Sequence, residues 1–75
     1  MLNKTTEMWV IYFNSADYPG QFVVRRHYAV NGEAYPSQRC ILADDLDHAR
    51  DYVPGNCINL GRLQGDDPAI FEVWV

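Results

Sequence analysis

The sequence lacks the runs and motifs that mark membrane proteins and most enzyme classes. No apolar run approaches the ~20 residues of a membrane-spanning helix. The polar residues 3–7 do not have the charged-then-apolar order of a signal peptide. The chain also has no glycine-rich phosphate loop, no Gly-x-Ser-x-Gly and no His-Glu-x-x-His. We therefore expect a cytoplasmic protein that is not an enzyme and binds no cofactor.

Cysteine and histidine are scarce, with two of each in 75 residues. Cys40 and Cys57 form neither a Cys-x-x-Cys pair nor a disulfide framework, so we expect two buried, reduced thiols. Nothing in the spacing supports a catalytic pair of either cysteine with His27 or His48. A single imidazole such as His48 beside helix-surface carboxylates is typical of a solvated face, and we expect no metal site.

The short chain has room for one hydrophobic core. Hydrophobic residues make up 48% of it and charged residues 21%, which is typical of a folded domain rather than a disordered one. We expect residues 1–7 to form a loose lead and residues 8–75 to form a single monomeric domain.

Alternating apolar and polar residues predict an α+β fold, an antiparallel sheet of four to five strands with one short helix packed on it. Because Pro36 cannot donate to a sheet ladder, we expect the third strand to begin only at Arg39. The predicted strands are 8–13, 22–30, 39–43, 57–63 with a possible bulge at Gly61, and 69–75. The aromatic residues expected in the core are Trp9, Phe13, Phe22, Phe71 and Trp74.

Residues 44–53 are the predicted helix, with Asp44 as the residue that caps its first turn. The apolar spacing of this segment defines one buried stripe. The residues of that stripe are Leu46, Ala49 and Val53.

Acidic residues are concentrated in the second half of the chain. The formal charge is −4 at pH 7, with residues 1–43 at +1 and residues 44–75 at −5. Asp44, Asp47 and Asp51 would lie along the outer side of the helix over about 10.5 Å, close to three phosphate steps of one DNA strand. Further carboxylates beside this row would be those of Asp45, Asp66 and Asp67.

Such a row of carboxylates can compete for a Lys/Arg groove that otherwise binds nucleic acid. We therefore expect the partner to be a basic nucleic-acid-binding protein, and neither nucleic acid itself nor a membrane. Small acidic domains also carry charged outer helices for solubility and capping alone, and this alternative remains open.

A second hypothesis is an adaptor that binds a protein or peptide through a sheet edge or through aromatic loops. Tyr18 and Tyr35, each beside a proline, are the contact candidates in that case. Arg25 and Arg26 could stack on bases or form part of an interface, but pairing with internal carboxylates is the simpler interpretation.

Three segments, MWVIYFN (8–14), DYPGQFVVR (17–25) and GDDPAIFEVWV (65–75), resemble a group of short, mostly uncharacterised proteins of bacteria and their phages. In size, acidity and absence of enzyme motifs the chain is also similar to phage anti-CRISPR proteins that act on type I surveillance complexes. This resemblance implies an inhibitor that binds a Cas subunit and prevents target DNA from being engaged. The resemblance to the group of short bacterial and phage proteins carries over no catalytic or ligand-binding residue.

Overall fold

The computed structural model describes residues 5–31, 33–62 and 68–75. Within these ranges the elements are β1 (Thr5–Phe13), β2 (Phe22–Val30), β3 (Glu33–Ala43), α1 (Leu46–Asp51), β4 (Asn59–Gly61) and β5 (Ile70–Trp74). The strands form one antiparallel sheet in the order β3-β2-β1-β5-β4. The predicted α+β fold, a five-stranded sheet with one short helix on it, is confirmed.

The hairpin of β1 and β2 is the centre of the sheet. The two strands pair from Thr5 opposite Val30 to Phe13 opposite Phe22. β1 therefore begins before Met8, inside the segment predicted to be a loose lead. The residues before Met8 have little apolar character, but they form a strand because they pair with the backbone at the end of β2.

The third strand begins earlier than predicted, at Glu33 rather than Arg39, and Pro36 lies inside it. The prediction was wrong because β3 is an outer strand of the sheet, where a residue without an N–H group leaves no neighbour unpaired. The register shifts between Arg25 opposite Cys40 and His27 opposite Pro36, so β3 bulges over residues 37–39.

The helix is shorter than predicted and has a different cap. The chain stays extended through Asp45 (φ −143, ψ 171), whose Oδ1 accepts a hydrogen bond from the His48 backbone N–H at 2.8 Å. Asp45 is therefore the N-cap in place of Asp44. The helix ends at Asp51, before Val53.

One face of the sheet, called the helix face, packs against α1. Ile11 and Val24 are its fully buried side chains, with exposed fractions of 0% and 1%. The predicted buried stripe of the helix segment is confirmed, since Ala49 and Val53 are buried in this core and Leu46 packs against it.

The predicted aromatic core is only partly correct. Trp9, Phe22 and Trp74 pack against the core as partly buried residues. Phe13 and Phe71 remain 40% and 45% exposed. The six residues of α1 span only about 9 Å, too little to cover the ends of the strands.

The last two strands are shorter than predicted, with β4 at Asn59–Gly61 and β5 at Ile70–Trp74. Gly61 has φ 69, and the β4–β5 register shifts between Asn59 and Gly61, which confirms the bulge predicted there. The described part of the chain contains no helix of the length and apolarity that crossing a membrane requires.

Candidate functional site

The first candidate surface, called the acidic surface, consists of Asp44, Asp45, Asp47 and Asp51. All four residues are exposed. The Asp45 carboxylate caps α1, whereas the other three carboxylates make no ion pair with any residue of the ranges that the structure describes. The further predicted site residues Asp66 and Asp67 lie outside the described residues.

The one arginine of α1 is turned inward. Arg50 Nε donates to Glu72 Oε1 at 3.0 Å, and Arg50 Nη2 donates to Glu72 Oε2. The Glu72 side chain is 8% exposed and also accepts from Asn59 Nδ2 and Trp74 Nε1, each at 3.1 Å. Arg50 therefore forms its ion pair with an internal acid, and the charge of Asp47 acts on it without a direct ion pair.

This pairing shifts the titration of both partners. The Arg50 guanidinium, followed by the donors of Trp74 and Asn59, holds the pKa of Glu72 below its usual value although burial acts in the opposite direction. The hydrogen bonds from Arg50 to Glu72 raise the pKa of Arg50. This pair could not be predicted from the sequence, because the two residues lie 22 positions apart and on different kinds of element.

Three phenylalanine rings, two of them exposed, lie on the same side of the sheet as α1. Phe13 and Phe22 have ring centroids 4.6 Å apart, and Phe71 meets Phe22 edge-on at 5.8 Å. Phe22 is opposite Ala43, the residue that precedes Asp44. This aromatic row of Phe13, Phe22 and Phe71 thus adjoins the start of the acidic surface.

The two neighbouring arginines of β2 have partners within the chain. The Arg26 guanidinium lies 5.7 Å from the ring centroid of Trp9 and 4.7 Å from that of Tyr28, and 3.8 Å from the Glu7 carboxylate. Arg25 donates to the backbone oxygen of Ser37 at 3.2 Å. The predicted pairing with an internal carboxylate is therefore found for Arg26, whereas Arg25 pairs with no carboxylate of the described residues and bonds a backbone oxygen instead.

The face opposite α1 carries a second candidate site, called the polar pocket. Side chains alternate along a strand, so Tyr12 and Val23 lie on the side away from Ile11 and Val24. The β1–β2 loop, residues 14–21, folds back over this side. The resulting cavity of about 320 Å³ is lined by Tyr12, Ser15, Asp17, Tyr18, Val23, Arg25, His27 and Pro36.

The loop is held by two residues in left-handed conformations, Asn14 at φ 56 and Gly20 at φ 75. Asn14 Oδ1 accepts from the Gly20 N–H at 2.7 Å, and the Cys40 thiol donates to the Tyr18 hydroxyl at 3.9 Å. Arg25 and His27 lie on the same face of β2, as alternation along a strand requires. The return of the loop over this face could not be predicted from the sequence.

The interior of the pocket is polar. Tyr12 Oη lies 3.1 Å from His27 Nε2. Burial, and then the Arg25 charge, lower the pKa of His27. The Cys40 thiol, and more weakly the Asp17 carboxylate, raise the pKa of Tyr18.

The two tyrosines predicted as loop contacts are placed differently. Tyr18 lines the polar pocket. Tyr35 lies in β3 rather than in a loop, is 50% exposed, and donates its hydroxyl proton to Glu33. That hydrogen bond is the main reason why the pKa of Tyr35 is raised.

Other features of the described residues are simpler. Cys40 and Cys57 are free thiols and are partly buried. No group of three or more His, Cys, Asp or Glu residues within the described ranges could hold a metal ion.

Comparison with protein-family models, with curated proteins and with solved structures found no match for this chain.

Proposed function

We propose that this chain is a non-enzymatic inhibitor of the anti-CRISPR type, which binds a Cas subunit of a multi-subunit surveillance complex and blocks target DNA binding. The acidic surface would act as a DNA mimic. The observation that carries the proposal is that three exposed carboxylates, those of Asp44, Asp47 and Asp51, make no ion pair within the described residues, while the neighbouring Arg50 forms its ion pair with Glu72.

The spacing of these carboxylates supports pairing with a basic groove. Asp47 and Asp51 stand one helical turn apart, about 6 Å along the axis, which is comparable to two phosphate steps of a DNA strand. Each carboxylate would pair with a lysine or arginine that otherwise holds phosphate. A net charge of −4 would speed the encounter with such a groove.

The aromatic row supports a protein partner. Phe13 and Phe71 expose large rings on the same side of the sheet as α1. Aromatic side chains at the centre of an interface commonly supply most of the binding free energy, while surrounding charges give orientation and association rate. The two surfaces together fit a partner that has an apolar pocket beside a cationic groove.

The test is a gel-shift competition between this protein and a target DNA duplex for purified type I surveillance complexes. The test variant is Asp47→Asn/Asp51→Asn. The matched control is Asp17→Asn/Glu33→Gln, which removes the same charge at exposed positions away from α1.

We expect the test variant to need about tenfold more protein for half-inhibition, and the control to act like wild type, since a loss of about 1.4 kcal/mol corresponds to tenfold. Equal inhibition by the test variant and wild type would refute the role of the acidic surface. An equal loss in both variants would show that net charge alone matters and would refute it as well.

A second candidate function, a peptide-binding adaptor, is favoured by one observation. A groove of about 620 Å³ runs beside the bulge of the outer strand β3 and is lined in part by Trp9, Arg39 and Ile41. An extended peptide could add to this free edge and place side chains in the groove. Co-purification from host lysate separates the two functions: a partner lost with Arg39→Asp but kept by Asp47→Asn/Asp51→Asn would favour the adaptor.

A further inference from the structure

The polar pocket lies on the face of the sheet opposite α1, so it does not belong to the acidic surface. Its volume of about 320 Å³ is at the lower end of the roughly 300–1,000 Å³ typical of small-molecule sites. Strands β1, β2 and β3 form its base and the β1–β2 loop forms its wall. A cavity of this size can take a metabolite but not a peptide strand.

Two opposite charges line this cavity without pairing with each other. Within the described residues, Arg25 makes one hydrogen bond, to the Ser37 backbone oxygen at 3.2 Å, and no ion pair. That bond orients the guanidinium and leaves most of its N–H donors available. The Asp17 carboxylate has neither a hydrogen bond nor an ion pair in the same part of the chain.

The remaining lining adds no further fixed charge at neutral pH. His27 stays uncharged because burial and Arg25 lower its pKa, and its Nε2 lies 3.1 Å from the Tyr12 hydroxyl. The rings of Tyr12 and Tyr18 supply flat apolar walls. One cation, one anion and aromatic walls therefore surround a single small space.

We propose that the polar pocket binds a free zwitterionic amino acid, with its α-carboxylate on Arg25 and its α-ammonium group on Asp17. A ligand with only a negative charge would face the Asp17 carboxylate, and a ligand with only a positive charge would face the guanidinium. A zwitterion satisfies both groups. Its side chain would lie against the rings of Tyr12 and Tyr18.

The test is an NMR titration of the full chain with three probes, followed through the backbone amides and the tyrosine and histidine rings. The probes are L-phenylalanine, N-acetyl-L-phenylalanine, which lacks the ammonium group, and L-phenylalanine amide, which lacks the carboxylate. We expect L-phenylalanine to shift resonances of Tyr12, Tyr18 and His27. Each analogue should bind about tenfold more weakly, because each loses one charge-assisted contact.

Two pocket variants assign the two contacts separately. Asp17→Asn should abolish the preference for L-phenylalanine over its N-acetyl derivative, and Arg25→Gln should abolish the preference over the amide. Asp17 is exposed, so the Asn variant gives a result even if Arg25→Gln does not fold. Asp51→Asn, on the helix side, should bind all three probes like wild type.

The proposal is overturned if L-phenylalanine causes no shifts in the pocket, if the N-acetyl derivative binds as well as the zwitterion, or if Asp17→Asn keeps the wild-type preference. These results do not depend on the inhibitor function, because the gel-shift competition concerns the other face of the sheet. Loss of one activity with retention of the other identifies which proposal failed.

Discussion

Arg50 and Glu72 join the helix to the sheet through two parallel hydrogen bonds. The buried Glu72 carboxylate accepts four hydrogen bonds, two from Arg50 and one each from Asn59 and Trp74. A buried carboxylate is tolerated only when its oxygens are satisfied in this way. The same pair holds the guanidinium of α1 against a buried acid of the sheet rather than in an ion pair with the aspartates of the helix.

Glu72→Gln is expected to lower the free energy of unfolding by about 2 kcal/mol, measured by urea denaturation. The neutral amide weakens four charge-assisted hydrogen bonds, but Arg50 is 39% exposed and regains water, which limits the loss. The matched control Asp51→Asn should change the value by less than about 0.5 kcal/mol. Losses of equal size in the two variants would contradict the structural role of the pair.

The lowered pKa of Glu72 predicts that the protein loses stability in acid. Its folded pKa is lowered from 4.5, so its contribution is complete above pH 4.5 and is lost as the pH falls through the folded pKa. We expect the difference in unfolding free energy between wild type and Glu72→Gln to shrink as the pH is lowered below 4.5. A difference that stays constant over this range would argue against a lowered pKa.

The cap of α1 gives a comparison between neighbouring aspartates. Asp45→Ala should cost about 1 kcal/mol of stability, because the His48 N–H loses its acceptor. Asp44→Ala removes an exposed carboxylate with no capping bond and should cost less than about 0.5 kcal/mol. Urea denaturation measures both, and the reverse order would restore Asp44 as the cap.

The sequence predicted the parts of the fold that depend on local periodicity. Ala49 and Val53 are buried as their spacing requires, and β2 has the predicted bounds. The choice between Asp44 and Asp45 as the cap could not be made, since it depends on how far β3 continues in an extended conformation. The start of β3 could not be predicted either, because a strand can continue through Pro36 only at the edge of a sheet, and the sequence does not show that β3 is an edge strand.

Features built from distant residues could not be predicted. The Arg50–Glu72 pair requires the Arg50 side chain of α1 to reach β5, and the polar pocket requires the β1–β2 loop to return over the sheet. The exposure of Phe71 follows from the short length of α1. Each of these depends on tertiary packing, for which a single sequence contains no spacing rule.

His27 is expected to make the free energy of unfolding depend on pH at higher pH values than Glu72 does. Its folded pKa is lowered from 6.5, so the unfolded chain binds the proton more readily and stability falls as the pH drops below 6.5. His27→Gln should remove this slope. Urea denaturation of both proteins between about pH 7.5 and 5.5 measures it, and equal slopes would show that His27 is not the responsible group.

The inhibitor proposal is tested most directly by the salt dependence of binding to a purified type I surveillance complex. Between about 50 and 200 mM salt, wild-type affinity should fall steeply, as for binding that releases counterions from a cationic groove. Asp47→Asn/Asp51→Asn should bind more weakly with a shallower slope, while Asp17→Asn/Glu33→Gln keeps the wild-type slope. No binding by wild type, or the same affinity and slope for all three proteins, would contradict the proposed role of the acidic surface.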